Sequence, residues 1–146
     1  MLSGESEDDY RFPVKVNLVI VKLSIKGSVV GILKDGFGKL SIPEKNITKN
    51  KTSADIAKEL VHRYIRVDGT REYDVEMCSV HDKRHRYIGH AIHDIAIVYR
   101  AFIPSDFECD KDISWNNPNQ IIEYEQDGLF DKDYATIIQE AMVNGL

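Results

Sequence analysis

The amino-acid sequence predicts an α/β domain, a mixed β-sheet with helices packed against it. Three observations carry this expectation. From Val14 to Val21 most positions on both alternating faces are apolar, the pattern of a strand covered on both sides. Ile56, Ala57, Leu60, Val61 and Tyr64 recur at helical spacing, with Asp55, Lys58, Glu59, His62 and Arg63 on the opposite side. Strand-like runs precede and separate two helical segments, in the order β-β-β-α-β-β-β-α, which suits a sheet flanked by helices better than a bundle or a sandwich.

The elements follow in order. Residues 1–11 are expected to form a flexible acidic tail, and residues 12–146 a single domain. After the first strand, Gly27 marks a turn, Val29–Leu33 is a second β-rich run, and Asp35-Gly36 ends it. Lys39–Ile42 reads as a short strand stopped by Pro43, and Glu44–Lys51 as a polar loop. Thr52-Ser53-Ala54-Asp55 then offers a helix N-cap hydroxyl with an acid three residues on, a capping box in which Asp replaces Glu or Gln. Beyond Asp68-Gly69, Tyr73–Val80 is a strand. A charged loop, His81-Asp82-Lys83-Arg84-His85-Arg86, separates it from the long strand Ala91–Ile103. Pro104–Asn119 is read as a polar loop around Trp115, Ile121–Glu125 as a further strand, and Asp133–Val143 as a closing helix.

Composition excludes several function classes. The apolar stretches Val16–Leu23 and Ile95–Ile103 are interrupted by Lys22 and Arg100 and are too short to cross a bilayer, so no membrane partner is expected. Acidic residues stand at the N-terminus where a signal peptide would be basic, so export is not expected and the predicted location is cytoplasmic. Cys78 and Cys109 then read as free thiols, and the Asn46 and Asn50 glycosylation triplets as chance. The net charge of −5 repels nucleic-acid backbones, so direct DNA or RNA binding by this chain alone is not expected.

The segment Gly38-Lys39-Leu40-Ser41-Ile42-Pro43, the loop to Lys51 and the helix Thr52–Ile65 resemble the loop-helix-loop of Nudix domains. The opening Arg11–Ile20, the His81–Ile88 stretch followed by Ala96-Ile97-Val98-Tyr99, Trp115, and Leu129-Phe130-Asp131 through to Ala141 resemble the Nudix-like sensor domains of bacterial NAD-metabolism regulators, which respond to ADP-ribose. The resemblance runs from about Phe12 to Val143. It implies an α/β/α sandwich with a mixed sheet flanked by helices. In those regulators a winged helix follows the sensor domain, whereas this chain stops at Leu146 with no basic helical segment beyond. A DNA-binding element is therefore expected either to be missing from this chain or to sit on a separate one. Homodimerisation fits the resemblance, although nothing in the composition demands it.

The box itself departs from the family pattern. Paired glycines should follow the Leu-x-x-Pro strand, but Glu44 and Lys45 stand there. The helix should carry Arg-Glu-x-x-Glu-Glu. Allowing for a deletion of about one residue in the loop, Lys58 takes the Arg position and Glu59 the first Glu, while His62 and Arg63 replace the metal-binding pair. Pyrophosphate cleavage needs a hard divalent cation held by several carboxylate oxygens, and one carboxylate beside an arginine repels Mg²⁺.

The expectation is thus a catalytically impaired domain that binds a small nucleotide-like ligand of the ADP-ribose kind without cofactor. Lys58 and Arg63, and Lys83, Arg84 and Arg86 of the charged loop, would contact its phosphates. Plainer readings stand beside each: Glu59 and Arg63 form an i, i+4 pair on a solvated face, and the charged loop is a solvated hairpin. Two alternatives stay open. One is an active hydrolase using Mg²⁺ and Glu59, joined by Glu44, Asp94 or Glu108; the other is a dimeric interaction scaffold. His81, His85, His90 and His93 do not suggest zinc, because His90 and His93 point to opposite faces of a strand. No nucleophile elbow, P-loop or G-x-G-x-x-G occurs, and Tyr64, Tyr73, Tyr99, Trp115 and Cys78 are expected in the core.

Overall fold

The computed structural model describes residues 14–25, 27–66, 73–87, 90–130 and 134–143, with the backbone alone for 83–87, 90–94 and 143. The proposed N-terminal tail lies outside the described residues. Strands β1 (Val14–Lys22), β2 (Val29–Lys34), β3 (Leu40–Ser41) and β4 (Glu44–Asn46) precede helix α1 (Ser53–Tyr64). Strands β5 (Asp74–Tyr87), β6 (His90–Ile103) and β7 (Ser114–Asn116) follow, and helices α2 (Pro118–Gln126) and α3 (Tyr134–Val143) close the chain.

The seven strands form one mixed sheet in the order β3-β2-β1-β6-β5, with β4 paired to β1 and β7 to β2. Strand β1 is central, as its two apolar faces predict. It runs parallel to β6 over its whole length, Val14 beside Ile95 through Lys22 beside Ile103. Its other edge is shared by β4, which pairs Lys15–Asn17, and by β2, which pairs Val21 and Lys22. Alternation divides the core into two layers. Val16, Leu18 and Ile20 of β1, with Tyr99, Ala101 and Ile103 of β6, pack against Ile56, Ala57, Leu60 and Val61 of α1. Val19, Val21 and Val98 face Tyr134, Ile137, Ile138 and Ala141 of α3 and Ile121 of α2. Each fully buried aliphatic side chain contributes about 1.5–3 kcal/mol, so both layers hold their helices firmly.

Helix α1 begins as predicted. Thr52 accepts from the Asp55 backbone N–H at 3.1 Å, and the Asp55 carboxylate accepts from Thr52 N–H at 2.9 Å. Those hydrogen bonds hold the Asp55 carboxyl below the usual range. The Ser53 hydroxyl and the Tyr99 hydroxyl, 2.8 Å apart, tie the helix start to β6.

Five expectations need correction. Ile121–Glu125 is helical rather than extended, because Asn117 caps α2: its side chain accepts from Gln120 N–H, Gln120 reciprocates, and Pro118 occupies the first turn. The supposed loop His81–Arg86 is strand, since β5 continues alongside β6 from Asp74 to Tyr87 with a bulge between Met77 and Ser79. Glu44–Asn46 and Ser114–Asn116, both placed in loops, are short strands supported by β1 and β2. Cys78 is half-buried against the α3 layer rather than in its centre. No described helix is long and apolar enough to cross a membrane.

Candidate functional site

A cleft of about 790 Å³ opens beside the C-terminal end of α1. Its floor and walls follow from the pairing just described. Because β1 and β6 end together, Lys22 and Ile103 lie side by side, and the chain leaving β6 crosses in front of the helix end. Arg66 N–H donates to Glu108 O at 2.9 Å and Asp110 N–H to Tyr64 O at 2.8 Å, stapling the loop to the helix through an Ile65–Cys109 bridge. Strand β7 supplies Trp115, which packs on Gly31 of β2. A Cβ at Gly31 would come 2.8 Å from Ile113 Cγ2 and 3.4 Å from the indole, so only glycine lets the two side chains lie this close.

The lining is cationic. Lys22, Arg63, Arg66 and Lys111 face the opening with two carboxylates, Glu108 and Asp110, alongside His62, in a chain whose net charge is −5. Arg63 donates to Asp110 at 3.0 Å, and Arg66 lies 3.6 Å from Glu108. The Asp110 carboxyl is held below its ordinary value first by the Asp112 backbone N–H and then by Arg63. Lys22 Nζ sits 4.1 Å from the centroid of the Trp115 ring, a cation–π contact at the cleft wall. Burial pushes the Cys109 thiol up, which keeps it protonated and a poor nucleophile.

Of the residues singled out in the sequence, Arg63 and its neighbour His62 line this cleft, while Lys58 and Glu59 are outside its lining. The expected Glu59–Arg63 pair gives way to other partners. Glu59 takes Lys45 at 2.8 Å on one carboxylate oxygen and Lys51 at 2.9 Å on the other, which together hold its carboxyl low, and Arg63 turns to Asp110. Lys83, Arg84 and Arg86 fall at the far end of the hairpin: Lys83 is paired with Asp94, nine residues back along β6 from Ile103, or roughly 30 Å at strand spacing. Trp115 and Tyr64, expected in the core, are half-buried at the cleft wall. Lys22, Arg66, Glu108, Asp110 and Lys111 carried no motif, although Lys22 was visible as a charge breaking an apolar run.

These residues do not fit a hydrated Mg²⁺, which wants several oxygen donors. Glu59 has a lysine on each oxygen. Glu44, the companion expected for it in a hydrolase, points to the opposite side of the sheet. There it accepts from Asn17 at 3.0 Å and from the Tyr134 hydroxyl at 2.9 Å, whereas its neighbour Lys45 faces Glu59. Glu108 lies beside Arg66. Among the described residues no three His, Cys, Asp or Glu side chains are grouped so that they could hold a metal ion.

Comparison with known proteins adds the fold. No protein-family model matches the sequence, and no curated protein matches it significantly. Solved structures do match. The Nudix domain of Shewanella oneidensis NrtR complexed with ADP ribose superposes with a TM-score of 0.67 at 13% identity, covering 97% of each chain. The chain has a Nudix-like fold. Escherichia coli dihydroneopterin triphosphate pyrophosphohydrolase gives 0.67 at 13% identity, over 92% of this chain and 98% of that one. Caenorhabditis elegans Ap4A hydrolase gives 0.62 at 8% identity, over 88% and 95%. In NrtR complexed with a 27mer DNA, the match spans 59% of the NrtR chain.

Proposed function

We propose that this Nudix-like domain is a catalytically impaired binding module that takes a nucleotide-like anion of the ADP-ribose kind in the cleft, without metal, and serves a regulatory role. The observation that carries the reading is the charge of the cleft: four cations against two carboxylates, with an indole at the wall, inside an acidic chain. Arg63 and Arg66 would exchange exposed carboxylate partners for phosphate oxygens. Such exposed pairs are worth only about 0–1 kcal/mol, while charge-assisted forks to phosphate are stronger. Lys22 would leave the face of the Trp115 ring, where it now sits, for a phosphate, and an aromatic base would stack on the indole in its place. The alignment that sets His62 and Arg63 at the family's carboxylate positions supports the same view, as does the ADP ribose bound by the NrtR domain.

Isothermal titration with ADP-ribose and related nucleotides, with Mg²⁺ and with EDTA, tests it. The expected result is binding of similar affinity in both, weakened about tenfold or more in Arg66→Glu, as loss of a charge-assisted contact requires. Silence across the ligand set contradicts the reading, and Mg²⁺-dependent release of phosphate or a nucleoside monophosphate replaces it with a hydrolase.

A further inference from the structure

A phosphate entering the cleft displaces the two carboxylates that Arg63 and Arg66 now hold, and the two are placed very differently. Glu108 has 76% of its side chain open to solvent and lies 3.6 Å from Arg66, so release returns it to water. Asp110 has only 21% open, against 61% for its partner Arg63. Its backbone is held on both sides: its N–H donates to Tyr64 O at 2.8 Å and its carbonyl accepts from Ile113 N–H at 3.1 Å, beside the Ile65–Cys109 bridge. Oδ1 accepts from Asp112 N–H at 2.9 Å, which fixes the rotation of the carboxylate, and Oδ2 accepts from Arg63 at 3.0 Å. The carboxylate is the fixed member of the pair and the arginine the movable one.

When Arg63 turns to a phosphate, Oδ2 of Asp110 loses its donor but stays in the cleft wall. The Asp112 N–H, the largest influence holding this carboxyl low, and the Lys111 charge both remain, so the group stays ionised at neutral pH. An ionised carboxylate only accepts hydrogen bonds, and an acceptor left unmade there weakens binding, so the ligand must bring the donor. With a phosphate on Arg63 and a base on Trp115, the group covalently between them is a sugar. Because guanidinium and carboxylate are in contact, that sugar lies beside Asp110. From this we infer that Asp110 is the specificity-determining residue of the cleft, an assignment that rests on the function proposed above. It accepts from the vicinal hydroxyls of a ribosyl phosphate and disfavours deoxyribosyl and sugar-free phosphates. Two adjacent hydroxyls suit it better than one, since Oδ2 is vacated and Oδ1 keeps a lone pair beyond its bond to Asp112.

The experiment is calorimetric titration of the intact chain in EDTA with two matched pairs, ADP against deoxy-ADP and ribose phosphate against deoxyribose phosphate, with inorganic pyrophosphate as the sugar-free probe. The first pair reads a nucleoside ribose and the second a terminal one. A preference of about tenfold or more for the diol is expected in at least one pair. In Asp110→Asn it should fall below about threefold, while pyrophosphate binds more tightly, because Arg63 is released and a negative charge is gone. Asp110→Glu, which keeps the charge but displaces it by a methylene, should lose the preference without tightening pyrophosphate. A merely structural role would not move the two ligands in opposite directions, and retained pyrophosphate binding shows that each variant is folded. Equal affinity within both pairs, or a preference that survives Asp110→Asn, overturns the assignment and leaves phosphate binding in the cleft standing. Failure of every phosphate to bind the unaltered chain removes that reading and the assignment with it.

Discussion

The two faces of the sheet are closed by different means. On the α3 side, polar groups run deep. Asn17 and Tyr134 converge on Glu44, and the buried Arg100 donates to Ala141 O at the end of α3 and to Glu76 while lying over the Phe102 ring at 4.7 Å. On the α1 side the covered layer is aliphatic and aromatic, and the charged groups gather at the end of the helix, in the cleft. A helix fastened by buried polar contacts fixes architecture. One that ends in exposed, exchangeable ion pairs leaves a surface able to take a ligand. On the proposed function the difference separates stability from binding, and that separation can be broken by substitution.

The largest expected effect is on the closed face. Ile138→Ala should cost about 2–5 kcal/mol in urea unfolding through the cavity it leaves, without changing the emission of Trp115 in the folded protein; a shift in that emission would mean the faces are coupled. Next comes Glu76→Ala, which leaves the Arg100 guanidinium buried with one fewer acceptor. Its expected cost is about 1–3 kcal/mol by the same measurement, and a neutral result would mean that Ala141 O and the Phe102 face satisfy the charge alone.

The caps sharpen the comparison further, because each face depends on a helix started in the same way. Thr52→Ala on α1 and Asn117→Ala on α2 should each cost about 1 kcal/mol in thermal or urea unfolding. The two caps also mark what the sequence disclosed and what it hid. Thr52 to Asp55 was readable because an amphipathic repeat follows it. Asn117-Pro118-Asn119-Gln120 holds an equally good signal, yet it precedes Ile121, Ile122 and Tyr124, residues of high β propensity, and the cap alone marks the segment as helical. Likewise β1 was legible from its two apolar faces, while β4 and β7, three residues each, owe their form to neighbours and carry no period of their own. The charges of His81–Arg86 suggested a loop, but pairing with β6 sustains the strand, and an edge strand tolerates charge.

The candidate site was legible only at Arg63 and His62, through the helix they share with a family resemblance. Lys22, Arg66, Lys111 and Trp115 come from four separate segments, and only the β1–β6 pairing and the loop stapled to α1 bring them together. No spacing along the chain encodes that.

The smallest effect is the pH response. Asp55, Glu59 and Asp110 have carboxyls held below their ordinary values by hydrogen bonds and lysine or arginine neighbours. A group lowered in the folded state adds stability above its unfolded pKa and loses it as pH falls through the folded value. Melting temperature should therefore be flat from neutrality to about pH 5 and decline below about pH 4. A rise in stability on acidification would contradict these contacts.

Metal-free recognition of an anionic nucleotide can be read at the cleft itself, because Trp115 is the only tryptophan in the chain. Titrating ADP-ribose into the intact protein in EDTA while following its emission should give a saturable change, with the same midpoint when Mg²⁺ is restored. An emission that stays constant, or that moves only when the metal is present, would contradict the account.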